Sequence, residues 1–311
     1  MIRRVRWILF LATGALLAAP EPTPTPADAD ALYNLGQSLF DQYAPADVKE
    51  QYTFPTKDDW DKFAARLQRA LDGNSLEELA GYEPEARTAL AALRALPGNE
   101  DYADWLALRI DEIEAAKQAV AQSREPPPRT PSVRVPSSSV PLYDLWMSRE
   151  RSRPVPAAAA GLMPVLRAAF SAEGVPPELA WIAEAESSLN PSARSPSGAR
   201  GLFQLMPDTA HGLGLSTFLP DDRSDPEKSA RASARYLRSL YLKFGSWPLA
   251  LAAYNAGEGR VGRLLASRGA NDFAGIAAAL PSETRMYVPK VCALVAVRTG
   301  ASLERLPLLH G

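Results

Sequence analysis

Apolar residues recur every three or four positions through the first part of the chain. Segments 59–71, 85–96 and 102–122 follow this spacing, and turn-forming residues separate them. The third segment has the most regular pattern. Together they predict a small group of helices over residues 30–122, which we call the helical module.

Start and stop signals divide the second part of the chain into further helices. Asp225 is a typical N-cap residue, Pro226 suits the first helical position, and Gly245 suits the position after the last turn. No alternation of apolar and polar residues persists long enough to predict a strand. The predicted fold class is therefore all-α. Other helices are predicted after a cap at Asp208, from Trp247 to Tyr254, over 260–266 and after a cap at Ser282.

Proline-rich stretches mark the predicted domain boundaries. Residues 123–141 hold six prolines and a run of serines, a composition that cannot build a core. Four more prolines over 20–29 predict an extended tether. The predicted organisation is a leader and tether over 1–29, the helical module over 30–122, a Pro/Ser-rich linker over 123–141 and a second domain over 142–311, irregular at first over 142–160.

The first 19 residues have the pattern of a secretory signal. Three arginines precede an apolar run over 7–19. The run is shorter than the ~20 residues that a membrane span needs. Export with cleavage after Ala19 or Ala29 is expected, and retention of 7–19 as a membrane anchor is the alternative.

Charge is distributed unevenly, although the net charge is only −2. Acidic residues outnumber basic ones by 19 to 10 over 30–125, whereas basic residues lead by 19 to 15 over 142–311. A mildly basic second domain suits an anionic polymer. Because no basic run is interleaved with aromatic residues, nucleic acid is not an expected partner. The acidic helical module carries no recognisable catalytic group, so packing or binding to a protein partner is its expected role.

Cysteine and histidine are too scarce to build a redox or metal centre. Cys292 is the single cysteine, so no intrachain disulfide can form, and its apolar surroundings predict a buried thiol. His211 and His310 are far apart in the sequence. We therefore predict no metal and no cofactor.

Segment 176–207 carries the most specific chemical signal. Its paired prolines predict a helix start, and Pro191 predicts the helix end near residues 188–190. On a helical wheel Glu186 lies on the apolar stripe, whereas Glu184 lies on the opposite face and is predicted to face water. A carboxyl group held against apolar side chains loses solvation when charged, so the pKa of Glu186 is expected to rise. Glu186 is therefore a candidate general acid, and the alternative is an ion pair with a nearby residue such as Arg194 or Arg200.

A compact loop follows this helix. Asn-Pro, Ser-Pro and Ser-Gly pairs over 190–198 are turn-forming, and an apolar segment over 201–207 then carries one amide, Gln204. A polar amide brought back towards an inward carboxyl is typical of a cleft for a polar substrate. A glycosidase normally uses two carboxylates, and no second acid has support comparable with that of Glu186.

Three ordered motifs resemble those of the lytic murein transglycosylases, most closely the membrane-bound D type. The motifs span residues 186 to 288, and the resemblance is expected to begin around Leu142. That group often carries wall-binding repeats after the catalytic domain, and none follows here, so further wall binding is expected from the helical module or not at all. The motifs read Glu186-Ser187-x-x-Asn190-Pro191 with Ser195-Pro196-x-Gly198-Ala199-x-Gly201-Leu202-x-Gln204-x-Met206-Pro207, then Ala253-Tyr254-Asn255-Ala256-Gly257-x-Gly259-Arg260, then Glu283-Thr284-Arg285-x-Tyr287-Val288.

The resemblance implies a lysozyme-like helical domain that cleaves peptidoglycan glycan strands in the periplasm or cell envelope. Glu186 matches the glutamate that protonates the MurNAc–GlcNAc oxygen and then, as a base, helps to form a 1,6-anhydro end. Two alternatives are a hydrolase of the same bond, similar to goose-type lysozyme, and a non-catalytic wall-binding scaffold. Residue by residue, the resemblance also implies substrate contacts or supporting hydrogen bonds for Ser195, Gln204, Met206, Tyr254, Asn255, Glu283 and Tyr287.

The residues alone leave several of these roles open. Core packing is the alternative for Tyr254 and Met206, because aromatic and methionine side chains at helical spacing are commonly buried. For Gln204 a functional role is favoured, because an amide on an apolar segment would otherwise need a buried partner. Three further aromatic residues could stack on sugars or fill the core, namely Phe203, Phe218 and Trp247.

Overall fold

The computed structural model describes residues 66–67, 69–95, 100–124, 138–195 and 198–308. The leader and tether lie outside these ranges, as do most of the linker and most of the predicted helix over 59–71. Within the described ranges no helix is long and apolar enough to cross a membrane.

Helices account for the regular structure of the described residues. The prediction of an all-α fold is confirmed there, since the only β contacts are two isolated bridges. A short 3-10 helix, Pro177–Trp181, runs directly into the helix that carries Glu186. The α-helices are α1 (Leu76–Ala80), α2 (Glu83–Ala95), α3 (Glu100–Arg124), α4 (Tyr143–Arg151), α5 (Ala159–Ala172), α6 (Ile182–Ser187), α7 (Pro207–Gly212), α8 (Pro226–Phe244), α9 (Trp247–Ala256), α10 (Glu258–Arg268), α11 (Phe273–Ala277) and α12 (Ser282–Thr299).

The local signals predicted some helix ends correctly. Asp225 caps α8, because its side chain accepts a hydrogen bond of 2.9 Å from the backbone N–H of Lys228. Gly245 ends the same helix in the left-handed conformation, with a φ of 69°. A backbone with positive φ favours glycine, which is why the stop signal was readable.

Three local predictions were wrong. Segment 142–160 is not irregular, because α4 and the start of α5 lie within it. Asp208 does not cap α7, which begins one residue earlier, after the cap position at Met206. Ser282 is not the cap of α12 but lies inside it, and its hydroxyl bonds to backbone carbonyls of the helical module. In the last two cases a proline, at 207 or 281, sets the helix start instead.

Two apolar cores meet at α12. The larger core contains α5, α6, α8, α9 and the inner face of α12. The smaller core belongs to the helical module but also takes in Trp146 of α4 and Met286 and Ala293 of α12. The described part of the module therefore packs directly on the second domain. Cys292 is a buried free thiol, as predicted.

Candidate active site

Glu186 lies in the last turn of α6, where the chain turns sharply. Ser188 and Leu189 both have positive φ, at 53° and 62°, and they end the helix. Glu186 is partly exposed, whereas its neighbours Ala185 and Ser187 are buried. The Ser187 hydroxyl lies 3.0 Å from the backbone carbonyl of Leu202, which connects α6 to the loop that follows. The carboxyl group therefore lies at the edge of the core, facing that loop.

Burial raises the pKa of Glu186 to about 7. Loss of solvation is the largest effect, because the surrounding side chains remove much of the water that would stabilise the charged form. The Tyr287 hydroxyl and the Arg109 guanidinium lower the pKa, whereas the charges of Glu283 and Glu112 raise it. This agrees with the raised pKa predicted from the helical wheel, and it keeps about half of the carboxyl groups protonated near neutral pH.

Glu184 does not face water, and that prediction was wrong. Only 6% of the residue is exposed. Its two carboxylate oxygens accept hydrogen bonds of 2.6 and 2.9 Å from the guanidinium of Arg298 on α12. The wheel places Glu184 away from the main stripe correctly but cannot predict that α12 covers that side of α6. The two glutamates of α6 therefore have different states, a paired carboxylate at 184 and a raised-pKa acid at 186.

Residues 190–195 and 198–205 belong to a loop, which we call the site loop, and backbone and side-chain hydrogen bonds close it. The N–H of Gly201 donates to the carbonyl of Ala193 over 2.9 Å. Ser195 is buried, and its hydroxyl oxygen accepts a 3.0 Å bond from the N–H of Ala199. The amide nitrogen of Gln204 donates to the carbonyl of Gly201 over 2.9 Å. Two of the predicted sugar-contact residues thus use polar atoms to shape the loop.

These contacts change the interpretation of Gln204. Its amide nitrogen has backbone partners at 2.9 and 3.3 Å, on Gly201 and Ala193. The loop therefore supplies the partner that the sequence argument had taken to be missing. A contact between Gln204 and a substrate would have to come from its carbonyl oxygen.

Arg223 holds the site loop through hydrogen bonds to the loop backbone, and the sequence analysis did not identify this residue. Its guanidinium donates to the carbonyls of Gly198 and Leu205 over 2.7 and 3.1 Å. Asp221 holds the same guanidinium at 2.7 Å. Gly201, with a φ of 79°, lies so close to Arg223 that an added Cβ would fall 1.8 Å from the Arg223 carbonyl oxygen. Only glycine fits there, and the motif glycine was the one sequence signal of this contact.

Tyr254 and Asn255 connect α9 to its neighbours. The Tyr254 hydroxyl donates to the carbonyl of Phe203 over 2.7 Å, so the loop backbone, not the carboxyl of Glu186, is its partner. Burial and the nearby charge of Glu186 raise the pKa of Tyr254 well above its ordinary value. The side-chain oxygen of Asn255 accepts a 2.6 Å bond from the hydroxyl of Thr284 on α12. Tyr254 therefore packs at the site's edge, and Asn255 fixes the start of α12.

Glu283 and Tyr287 lie one turn apart on α12, on the side that faces Glu186. Tyr287 is 2% exposed, and its hydroxyl makes no hydrogen bond of ordinary geometry within the described part of the chain. It is still near enough to Glu186 to favour the charged carboxylate more than any other group does. Glu283 lies 2.9 Å from the guanidinium of Arg109. Arg109 belongs to α3 of the helical module, which the sequence analysis left without a site residue.

Some of the apolar candidate residues are buried in the core, and others lie at the surface. Met206 is 41% exposed, which excludes core packing for this side chain. Phe203 and Trp247 are buried in the core, so neither can stack on a sugar in this conformation. Phe218 is 72% exposed. Within the described ranges, no group of three or more His, Cys, Asp or Glu side chains could hold a metal ion.

These features define an all-α domain with one raised-pKa glutamate facing a loop that glycine and arginine hold in shape. Residues 163–276 match the family model of the transglycosylase SLT domain. Over 126 residues it is 38% identical to membrane-bound lytic murein transglycosylase D of Escherichia coli K12, covering 39% of this chain and 27% of that protein. Over 120 residues it is 42% identical to the soluble lytic murein transglycosylase of Salmonella typhimurium, covering 36% of this chain and 19% of that protein.

Among solved structures, one match covers more of this chain but has a lower sequence identity. The 70 kDa soluble lytic transglycosylase of Escherichia coli matches with a TM-score of 0.41 and 20% identity, over 86% of this chain and 56% of that one. The chain thus spans only part of the length of each of these proteins.

Proposed function

We propose that this protein is a lytic transglycosylase that cleaves the β-1,4 bond between N-acetylmuramic acid and N-acetylglucosamine in peptidoglycan. The match to the transglycosylase SLT domain supports the class of reaction. The observation that carries the proposal is Glu186, a carboxyl group at the core edge whose pKa is raised to about 7. Such a group can give up a proton at neutral pH and take one back.

In the first step Glu186 acts as a general acid. Its carboxyl proton passes to the glycosidic oxygen, the bond from that oxygen to C1 of the muramoyl sugar breaks, and the glucosaminyl part leaves as an alcohol. The acetamido group of the substrate assists at C1. Because burial disfavours the charged carboxylate, the proton is available where an ordinary glutamate would have lost it.

In the second step the same residue acts as a base. The Glu186 carboxylate takes the proton of the muramoyl C6 hydroxyl, and the C6 oxygen bonds to C1. The product is a 1,6-anhydro end, and the carboxyl group regains the proton it gave up. No water molecule is consumed, so one carboxyl group is sufficient where a hydrolase would normally use two.

Neighbouring groups have supporting roles in this proposal. Tyr254 holds the site loop through Phe203, and Tyr287 and Glu283 adjust the charge balance around Glu186. Met206 offers an exposed apolar surface for a sugar ring at the end of the site loop. Ser195 and Gln204 hold the site loop in shape, and Asn255 fixes the start of α12.

Action in the cell envelope is part of the proposal. Peptidoglycan is the substrate that the relatives' names imply, and one relative is named as membrane-bound. The arginines and apolar run at the start of the chain are consistent with export. A mild excess of basic residues over 142–311 suits an anionic glycan polymer.

Digestion of purified sacculi followed by mass spectrometry tests the proposal. Wild-type protein should release fragments with 1,6-anhydromuramoyl ends, and Glu186→Gln should release almost none while still binding sacculi. Glu178→Gln, a change in the preceding 3-10 helix, is the matched control and should behave as wild type. Reducing ends would support a goose-type hydrolase instead. Equal, negligible release by wild type and Glu186→Gln, with binding intact, would support a scaffold.

A further inference from the structure

The helical module touches the same helix that carries two of the candidate site residues. At the start of α12 the backbone N–H of Ser282 donates to the carbonyl of Gly73 over 2.6 Å. The Ser282 hydroxyl lies 3.2 Å from the carbonyl of Ser75, and the Arg285 guanidinium bonds to the carbonyl of Asn74. Unpaired backbone N–H groups at a helix start need partners, and the module supplies one here. The position of α12 therefore depends on residues that precede the linker.

Arg109 extends this contact into the candidate site. Its Nη1 atom lies 2.9 Å from an oxygen of Glu283 and 2.7 Å from an oxygen of Glu112, one turn along α3. The guanidinium also lies 5.7 Å from the ring centre of Trp105, which packs against it. Only 16% of the Arg109 side chain is exposed. Arg109 is thus a fixed cation with few conformational choices, aimed at α12.

A buried ion pair behind Arg109 supports this arrangement. Lys290 of α12 lies 3.3 Å from the other carboxylate oxygen of Glu112. Glu112 is therefore held between a cation of α3 and a cation of α12. Buried charges that are paired and hydrogen-bonded keep a defined geometry, because leaving any member unpaired is costly.

We propose that Arg109 of the helical module is a positioning residue of the catalytic site, which holds Glu283 in place on the side of α12 that faces Glu186. The inference rests on the proposed function and extends it: the acidic module completes the site and is not only a packing or partner-binding unit. Its role goes through Glu283 and through its own fixed charge, and it requires no contact between Arg109 and the substrate.

The charges around Glu186 give the sign of the expected pH effect. The groups that act on it are Arg109 and Glu112 from α3 and Glu283 and Tyr287 from α12. Tyr254 of α9 also lies nearby, and the charge of Glu186 raises its pKa. Arg109 is the cation among them, and a nearby cation favours the carboxylate. Without it, Glu186 should hold its proton to a higher pH. The alkaline limb of activity should therefore move upward.

Variants of the full chain test the inference. Arg109→Met should lower the initial rate of anhydromuropeptide release by about tenfold or more and move the alkaline limb to higher pH. Arg109→Lys keeps the charge, so it should restore the pH profile and part of the rate. Arg87→Met is the matched control, since Arg87 lies in the same module but pairs with Glu83 and Glu114 away from the site. It should leave rate and profile unchanged.

Two additions keep the result decisive. Arg109→Met removes one of the two cations that pair with buried Glu112, so Arg109→Met/Glu112→Gln is made as well, and thermal unfolding shows which variants are folded. Carbon-13 NMR of the glutamate carboxyl groups reports the pKa of Glu186 whether or not the protein is active. Inactive wild-type protein would refute the proposed function alone. A folded Arg109 variant with unchanged rate, unchanged pH profile and unchanged Glu186 pKa would refute the role of Arg109.

Discussion

Glu184 and Glu186 lie two residues apart on α6 and have opposite electrostatic environments. Arg298 binds both carboxylate oxygens of Glu184, whereas burial raises the pKa of Glu186 to about 7. A short helix thus presents one glutamate bound to a guanidinium and the other as a proton donor near neutral pH. The contrast comes from what packs against each side of the helix, since the two side chains are chemically identical.

The raised pKa of Glu186 should appear in the stability of the protein. A carboxyl group whose pKa is higher in the folded than in the unfolded state lowers the stability of the folded protein as the pH rises from about 4.5 to about 7. Glu186→Gln removes that loss, so it should be more stable than wild type by about 1–3 kcal/mol at pH 8. At pH 4 both side chains are neutral, and the two proteins should unfold at similar urea concentrations. An equal difference at both pH values would contradict a raised pKa.

Replacing Glu184 should affect stability and not the type of product. Glu184→Gln leaves the buried Arg298 guanidinium without its charged partner, which should cost about 2–4 kcal/mol in urea unfolding at pH 7. The double variant Glu184→Gln/Arg298→Met removes both charges and should recover part of that loss. Both variants should still form anhydro ends. Loss of all turnover in a folded Glu184→Gln protein would indicate that Glu184, and not Glu186, is the reacting acid.

Replacing Gly201 should lower stability and activity more than replacing another glycine with the same φ. An added Cβ would collide with the Arg223 carbonyl, so Gly201→Ala should cost about 3 kcal/mol or more. It should also lower sugar release by about tenfold or more through displacement of the loop. Gly214 has the same φ of 79° with no atom within 4 Å of an added Cβ. Gly214→Ala should therefore cost only about 1 kcal/mol, and equal effects of the two changes would contradict the close contact.

The Tyr287 hydroxyl should set part of the pH profile. It favours the charged form of Glu186, so Tyr287→Phe should raise the pKa of that carboxyl and move the alkaline limb of kcat/KM upward by about half a unit to one unit. Tyr254→Phe is the comparison, because its hydroxyl is bonded to the Phe203 carbonyl. That variant should leave the limb in place whatever it does to the rate. A downward shift in Tyr287→Phe would contradict the assigned contact.

Much of the fold could be predicted because its signals are local. The cap at Asp225 and the stop at Gly245 depend on backbone conformations that few residue types satisfy, and both lie where predicted. The inward direction of Glu186 follows from helical spacing alone. Helix α4 was missed because its start has no side-chain cap, and Leu142 lies there in the left-handed conformation.

Local sequence signals could not predict the contacts between segments that are distant in the sequence. The partner of Glu184 is Arg298, at the far end of α12, and the partner of Glu283 is Arg109, in a module separated from it by the linker. Spacing along one helix says which side a residue takes but not which element covers that side. The partners of Gln204 could not be predicted for the same reason, because they are backbone carbonyls that the loop brings together only when it folds.

A direct titration of the Glu186 carboxyl group tests whether it still holds a proton near neutral pH. Protein labelled with carbon-13 at the glutamate side-chain carboxyl is followed by NMR from pH 4 to pH 9, with Glu186→Gln used to assign the signal. We expect one glutamate signal with a midpoint near 7 that is missing from Glu186→Gln. If the signal lost in Glu186→Gln instead titrates at the ordinary glutamate value of about 4.3, Glu186 is not the proton donor proposed here.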